Sequence, residues 1–281
     1  MNIHLPEFSF VAPAKLNLSL RVVGRRPDGY HLLDSLFRLI DIADRLFITV
    51  MEDGRIERVR PVPGVEEIDD LCLLAARRLK EVTNCSFGAR IRLKKILPIG
   101  GGLGGGSSDA ATVLIALNHL WQTHLNRETL LEIALGLGAD VPFFVYGVNA
   151  RVQGIGELFQ PVSLAPAWYI VLVPGVFVST REIFESLGLT VGDFVDRMTD
   201  FPGPMRNELQ EVAVARHPQI ADCLKWLEQY ADARMTGSGA CVFAEFDNEA
   251  EARRVWEAKP LGIRGFISRG LDCHPHYELI D

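Results

Sequence analysis

The sequence predicts two domains, an α/β unit followed by an α+β unit, and three observations predict it. At 281 residues the chain suits two domains of ordinary size. Its apolar residues change period along the chain, from strand-like alternation near the start to helical spacing, and then to helices interleaved with short strands. Six of the seven positions from 100 to 106 are glycine, and that loop runs directly into an apolar stretch with the composition of a buried helix.

In residues 16–22, Leu16, Leu18, Leu20 and Val22 share one face while Lys15, Asn17, Ser19 and Arg21 share the other, the signature of a half-buried strand. Arg25-Arg26-Pro27-Asp28-Gly29 reads as a turn, because proline presets one dihedral and glycine permits a positive φ. A second strand is expected over 30–40 and a third over 47–51. Leu71, Leu74, Ala75 and Leu79 mark a helix over 71–82, followed by a strand over 89–96. Beyond the glycine loop, a helix is expected over 109–121 and another over 127–135, with Asn126 as its cap and Gly136 and Gly138 as terminators. A short apolar segment, 141–148, precedes a glycine-rich region. The boundary falls within 155–165, dividing the chain into residues 1–158 and 159–281.

The second unit opens with a continuous apolar strand over 169–173 and a helix announced by the capping box Ser179-x-x-Glu182. Helical spacing returns over 207–216, 220–230 and 250–257, with strands over 241–246 and 264–271.

Composition narrows the function. Lys and Arg number 29 against 36 Asp and Glu, a formal charge of −7, so a polyanion-binding surface for nucleic acid is not expected and any phosphate must be gripped locally. Lys15, Arg21, Arg25 and Arg26 are candidates for that local charge. The five cysteines are odd in number and scattered, with no C-x-x-C pair, which suits reduced thiols. The first residues lack a signal-peptide pattern, and the longest apolar run, 168–178, is broken by Pro174 and Gly175 short of the ~20 residues of a membrane span. The expected location is cytoplasmic, with no membrane or nucleic-acid partner. His274 and His276, beside Cys273, are expected to face solvent rather than a metal.

The strongest signal is Pro98, Ile99, Gly100, Gly101, Gly102, Leu103, Gly104, Gly105, Gly106, Ser107 and Ser108. Unshielded main-chain N–H groups and the positive end of the following helix favour phosphate, and the serines add hydroxyl donors. No Gly-Lys pair exists, which excludes a Walker loop. A G-x-G-x-x-G match at Gly100, Gly102 and Gly105 lacks the acid about 20 residues on that a dinucleotide fold requires. The His-Arg-Asp and Asp-Phe-Gly signatures of protein kinases are absent. A second constellation is Gly138-Ala139-Asp140-Val141-Pro142-Phe143-Phe144. Asp140 either caps a short helix begun by Pro142 or places a carboxylate beside a transferred phosphoryl group. A third is Pro13-Ala14-Lys15-Leu16-Asn17, where Lys15 is either a solvated strand residue or the partner of Asp140.

These three segments, with Met235-Thr236-Gly237-Ser238-Gly239-Ala240-Cys241-Val242-Phe243, resemble the GHMP superfamily of small-molecule kinases over the whole chain. With Arg25-Arg26-Pro27-Asp28-Gly29-Tyr30-His31 added, the pattern is most similar to the branch that acts in non-mevalonate synthesis of isoprenoid precursors. The resemblance implies a two-domain fold with ATP and substrate meeting in the cleft between the domains. It implies Lys15 and Asp140 as the catalytic pair, residues 98–108 around the phosphates of ATP, and Mg²⁺ bridging those phosphates. Several superfamily members hold the ion with a glutamate that has no identifiable equivalent here; Asp109 is the nearest acid, and the metal ligands are left unassigned. The implied substrate is a cytidine-diphosphate-linked methylerythritol, with Tyr30 and His31 recognising cytosine, Phe184 stacking on the base, and Asn17 and Thr180 contacting the substrate. Two alternatives stay open: a kinase for another small alcohol of the mevalonate or homoserine class, and a silent nucleotide-binding sensor.

Overall fold

The computed structural model describes residues 5–188 and 205–280. The chain opens with two long antiparallel strands, β1 (Glu7–Arg25) and β2 (His31–Met51), joined by the expected Pro-Asp-Gly turn. Next come β3 (Ile56–Arg58), α1 (Leu71–Thr83) and β4 (Gly88–Lys94). The glycine loop then leads to α2 (Gly105–Leu120), α3 (Arg127–Leu135) and α4 (Val141–Tyr146). Strands β5 (Ala150–Gly154) and β6 (Leu158–Pro161) complete a six-stranded sheet of order β3-β4-β2-β5-β6, with β1 paired on β2.

The chain then changes sheets. β7 (Trp168–Val173), α5 (Thr180–Glu185), α6 (Gln210–Arg216), α7 (Pro218–Leu227), β8 (Ala233–Met235), β9 (Val242–Phe246), α8 (Glu249–Glu257) and β10 (Arg264–Arg269) build a four-stranded sheet of order β10-β7-β9-β8. Helix starts follow the sequence closely where a polar residue supplies the cap. The side chains of Asp70, Asn126, Ser179 and Asn248 each accept a main-chain N–H of the first turn.

Three apolar clusters tie these layers together. Helices α1 to α4 pack on one face of the first sheet. Helices α6 to α8 pack on the second sheet, together with Leu20 and Val22 from the far end of β1. Between the sheets lies a third cluster, in which Ala14, Leu16 and Leu18 meet Tyr169, Val171 and Phe243. The leucine face of β1 is thus the surface on which the second unit rests.

Three expectations are corrected. β1 is not half-buried: Lys15, Asn17, Ser19 and Arg21 are all buried too, because the glycine loop and α4 close over one face while the second sheet covers the other. Residues 47–51 are not a separate strand. No glycine or proline interrupts 40–47, and β2 runs on through a bulge that sets Asp41 and Ile42 between the partners of Pro13 and Ala14. Finally, His274 is not solvent-facing. The last residues return to the first unit, where Leu271 N–H donates to Leu39 O, His274 N–H to Gly147 O, and Val11 N–H to His276 Nε2.

His274 is 1% exposed, and its Nδ1 accepts the main-chain N–H of His276. That bond needs a bare nitrogen, and burial pushes the imidazole down to about 3. The unfolded chain therefore binds a proton between about pH 6.5 and 3 that the folded chain refuses, and stability is lost as pH falls through that window. In urea titrations, wild type should lose up to about 1.4 kcal/mol per pH unit there on account of this group. His274→Gln should show a shallower slope, and an unchanged slope would remove His274 from acid sensitivity.

Candidate functional site

A cleft of about 510 Å³ lies where the two units meet, and its walls come from segments that the sequence keeps far apart. Lys15 and Asn17 contribute from β1, residues 98–107 from the glycine loop, Asp140 from the head of α4, Thr180 and Phe184 from α5, and Gly237 to Gly239 from the second unit.

The loop is held by its own main chain. Lys15 N–H donates to Leu103 O, Cys241 N–H to Gly101 O, and the Thr236 hydroxyl to Gly102 O. Gly102 has φ +76°, and a Cβ there would lie 2.1 Å from the Thr236 carbonyl oxygen. Gly104, with φ +70°, would place one 2.9 Å from the Phe144 ring. The glycines are therefore required by close approach as well as by backbone sign. α2 starts at Gly105, four residues before the expected Asp109, because glycine and serine read as loop although their N–H groups form its first turn. Ser107 lines the cleft. Ser108 does not: its side chain is buried behind the loop.

Asp140 occupies the cap position of α4, yet its side chain makes no capping bond; Pro142, lacking an N–H, stands in the first turn. The carboxylate turns instead to Lys15, with Oδ2 3.3 Å from Nζ. The two ends of this pair differ in setting. Lys15 is 3% exposed in its side chain, over the Phe37 ring and donating to Asn17 Oδ1 at 2.7 Å, whereas Asp140 is 37% exposed to the cleft. A buried cation fixed by two oxygens thus presents a half-open carboxylate. Asn17 is held in turn by Ser35, which accepts from its Nδ2, and by Thr236, which accepts from its N–H.

At the other end Thr180 Oγ1 lies 2.7 Å from Ser238 Oγ. Phe184 lines the cleft and packs against His31, ring centroids 5.0 Å apart and tilted by 32°. Burial, followed by the nearby Arg25 guanidinium, holds the His31 imidazole below its ordinary pKa, which favours the neutral ring. Tyr30, in the β1–β2 turn, is 58% exposed and does not line the cleft.

The structure adds residues that sequence reasoning passed over. Val62, Val65, Leu71 and Leu93 form an apolar slot at the loop's outer end, bordered by Arg58 and Cys72. Lys95 bridges Asp44 and Asp109, at 2.6 and 2.7 Å. The Lys94-Lys95 doublet and the acid after the serines were visible, but 51 residues separate Asp44 from Lys95, and spacing alone could not pair them.

Two family models match the chain. Residues 70–148 match the GHMP kinases N terminal domain, and residues 190–258 the GHMP kinases C terminal domain. The chain is 55% identical over 271 residues to a 4-diphosphocytidyl-2-C-methyl-D-erythritol kinase of Azoarcus sp. (strain BH72), covering 96% of each chain. It is 53% identical to that of Thiobacillus denitrificans, covering 97% of this chain and 98% of the other. A crystal structure of 4-(cytidine 5'-diphospho)-2C-methyl-D-erythritol kinase superposes with a TM-score of 0.80 at 33% identity, over 94% of this chain and 99% of that one. A mevalonate kinase shares the fold at a TM-score of 0.68 and 15% identity.

Gly102→Ala is expected to force the loop away from Thr236. At roughly 1 to 3 kcal/mol for such strain, nucleotide affinity measured by titration calorimetry should fall about fivefold or more. Unchanged affinity would mean that the close approach is not needed for binding.

Proposed function

The chain belongs to the GHMP kinase family and, within it, to the 4-diphosphocytidyl-2-C-methyl-D-erythritol kinases, and on that footing we propose that it moves the γ-phosphoryl group of ATP to the 2-hydroxyl of 4-diphosphocytidyl-2-C-methyl-D-erythritol. This is an ATP-dependent step of isoprenoid precursor synthesis by the non-mevalonate route. The observation that carries the chemistry is the Lys15–Asp140 pair facing the glycine loop across one cleft.

The phosphates of ATP lie along residues 98–108, against main-chain N–H groups and the head of α2. The purine takes the apolar surface of Val62, Val65 and Leu71, beside which Arg58 stands. Asp140, uncommitted to capping and open to the cleft, accepts a hydrogen bond from the substrate hydroxyl, orients it and takes its proton as the bond to phosphorus forms. Lys15 pairs with that carboxylate and stands beside the loop, where its charge stabilises the transferring group. Among the described residues no group of three or more His, Cys, Asp or Glu side chains forms a metal cage, and a Mg²⁺ accompanying ATP would sit with the phosphates at the glycine loop. The ion offsets phosphate charge when bound.

Cytosine is placed against the aromatic wall of Phe184 and neutral His31, with exposed Tyr30 available at the rim. Asn17 and the Thr180 hydroxyl hold the rest of the substrate. This wall argues for a cytidylyl substrate over a mevalonate- or homoserine-type alcohol, and the retained Lys15–Asp140 pair argues against a silent sensor.

Asp140→Asn should lower kcat at least a hundredfold, in line with the ~10²- to 10⁴-fold worth of a positioned base, with little change in KM for ATP. Near-normal turnover in a coupled ADP-release assay would take Asp140 out of the reaction. Phe184→Ala should raise KM for the cytidylyl substrate by roughly fivefold or more, since stacking on an aromatic ring contributes ~1–3 kcal/mol per base. A KM that does not move would contradict the stacking.

A further inference from the structure

Lys95 stands between two carboxylates that belong to the two ends of the glycine loop. Asp44, on β2 and fully buried, accepts Lys95 Nζ through Oδ2 and the main-chain N–H groups of Ile96 and Leu97 through Oδ1, so it fixes the chain just before the loop. Asp109, on the second turn of α2, accepts Lys95 through Oδ2 just after it. Both oxygens of Asp44 are engaged. Asp109 Oδ1 is buried and has no hydrogen-bond partner among the described residues, although the residue lines the same cleft as the loop.

One ammonium neutralises one carboxylate, and the second negative charge remains beside a loop that is otherwise built to receive phosphates. Among the described residues, neither Arg58 nor Cys72 cancels it. Arg58, from β3, is committed to Asp70, the cap of α1. Cys72, from α1, is pushed up to about 12 by burial and stays a neutral thiol. Arg58 pulls Asp109 toward ionisation more weakly than Lys95 does, and Asp44 pushes the other way. Burial leads, and the carboxyl of Asp109 is pushed up to about 7, while the two carboxylates hold Lys95 firmly protonated.

We propose that Asp109 is a positioning residue that takes up a proton as ATP binds: its carboxylate gains one proton from solvent at the unpartnered oxygen, keeps Lys95 through the other, and so removes the excess negative charge next to the incoming phosphates. No other bond changes. The inference rests on the reading that the loop holds ATP's phosphates. Lys95, still bonded to both side chains, keeps the two ends of the loop joined in either protonation state.

The test uses the full-length chain, a non-hydrolysable ATP analogue and titration calorimetry at about pH 8 in two buffers of different ionisation enthalpy. Wild type should show a buffer-dependent binding enthalpy that reports proton uptake, and its affinity should fall as pH rises above about 7, approaching tenfold per unit. Asp109→Asn, which preserves an acceptor for Lys95, should bind with a much smaller buffer dependence and a flatter pH profile. A purely structural role would weaken Asp109→Asn equally at every pH and leave the slope intact, and that result overturns the proposal. So does wild-type binding with no buffer dependence, a result that needs no variant. Hydrogen exchange separates the inference from its premise: analogue binding without added protection of the amides at 99–107 would sink the loop assignment itself.

Discussion

The approach of Gly102 to the Thr236 carbonyl is the contact on which the rest of the cleft depends. A methyl group cannot fit there, so the main chains of the two units meet directly, and the loop is set by peptide geometry instead of by adjustable side chains. The consequences spread outward through short links. Thr236 also accepts the N–H of Asn17, Asn17 accepts Lys15, and Lys15 meets Asp140. Moving the loop by an ångström would therefore disturb the ion pair through Thr236, Asn17 and Lys15, all three of them buried.

Charge is distributed with the same economy. The protein as a whole is acidic, and the phosphate site proposed for it draws on main-chain N–H groups, a helix terminus and one deeply held lysine. Lys15 is anchored and Asp140 is half-open, which is the asymmetry expected of a group that must meet substrate beside one that must not move. The Asp44–Lys95–Asp109 cluster applies the opposite logic behind the loop, with more negative charge than its lysine can neutralise.

Much of this was legible in the sequence because it depends on local chemistry. Capping residues located helix starts, the Pro-Asp-Gly turn located the first hairpin, and a glycine run before an apolar stretch located the loop that lines the cleft. What could not be read were features decided by distant neighbours. Lys15 sits in an alternating pattern typical of a solvated face, and only the covering loop and α4 make that face an interior. The continuity of β2 past Ile40 depends on a bulge opposite Pro13 and Ala14. The histidines near the end of the chain looked like a polar tail, yet the tail packs against the end of α4, with His274 buried and His276 partly so. The Lys15–Asp140 pairing was one of two readings of Lys15 in the sequence, and the one the family resemblance implied; its asymmetry of burial was visible only in three dimensions.

The most direct measurement is a crystal structure of the chain with a non-hydrolysable ATP analogue and the cytidylyl substrate together. The account requires the triphosphate to be hydrogen-bonded by the amides around 100–107, and the substrate's 2-hydroxyl to lie between the γ-phosphorus and Asp140 at near-attack separation, ~3–3.5 Å. A triphosphate bound away from the glycine loop, or a hydroxyl directed to a group other than Asp140, would contradict it.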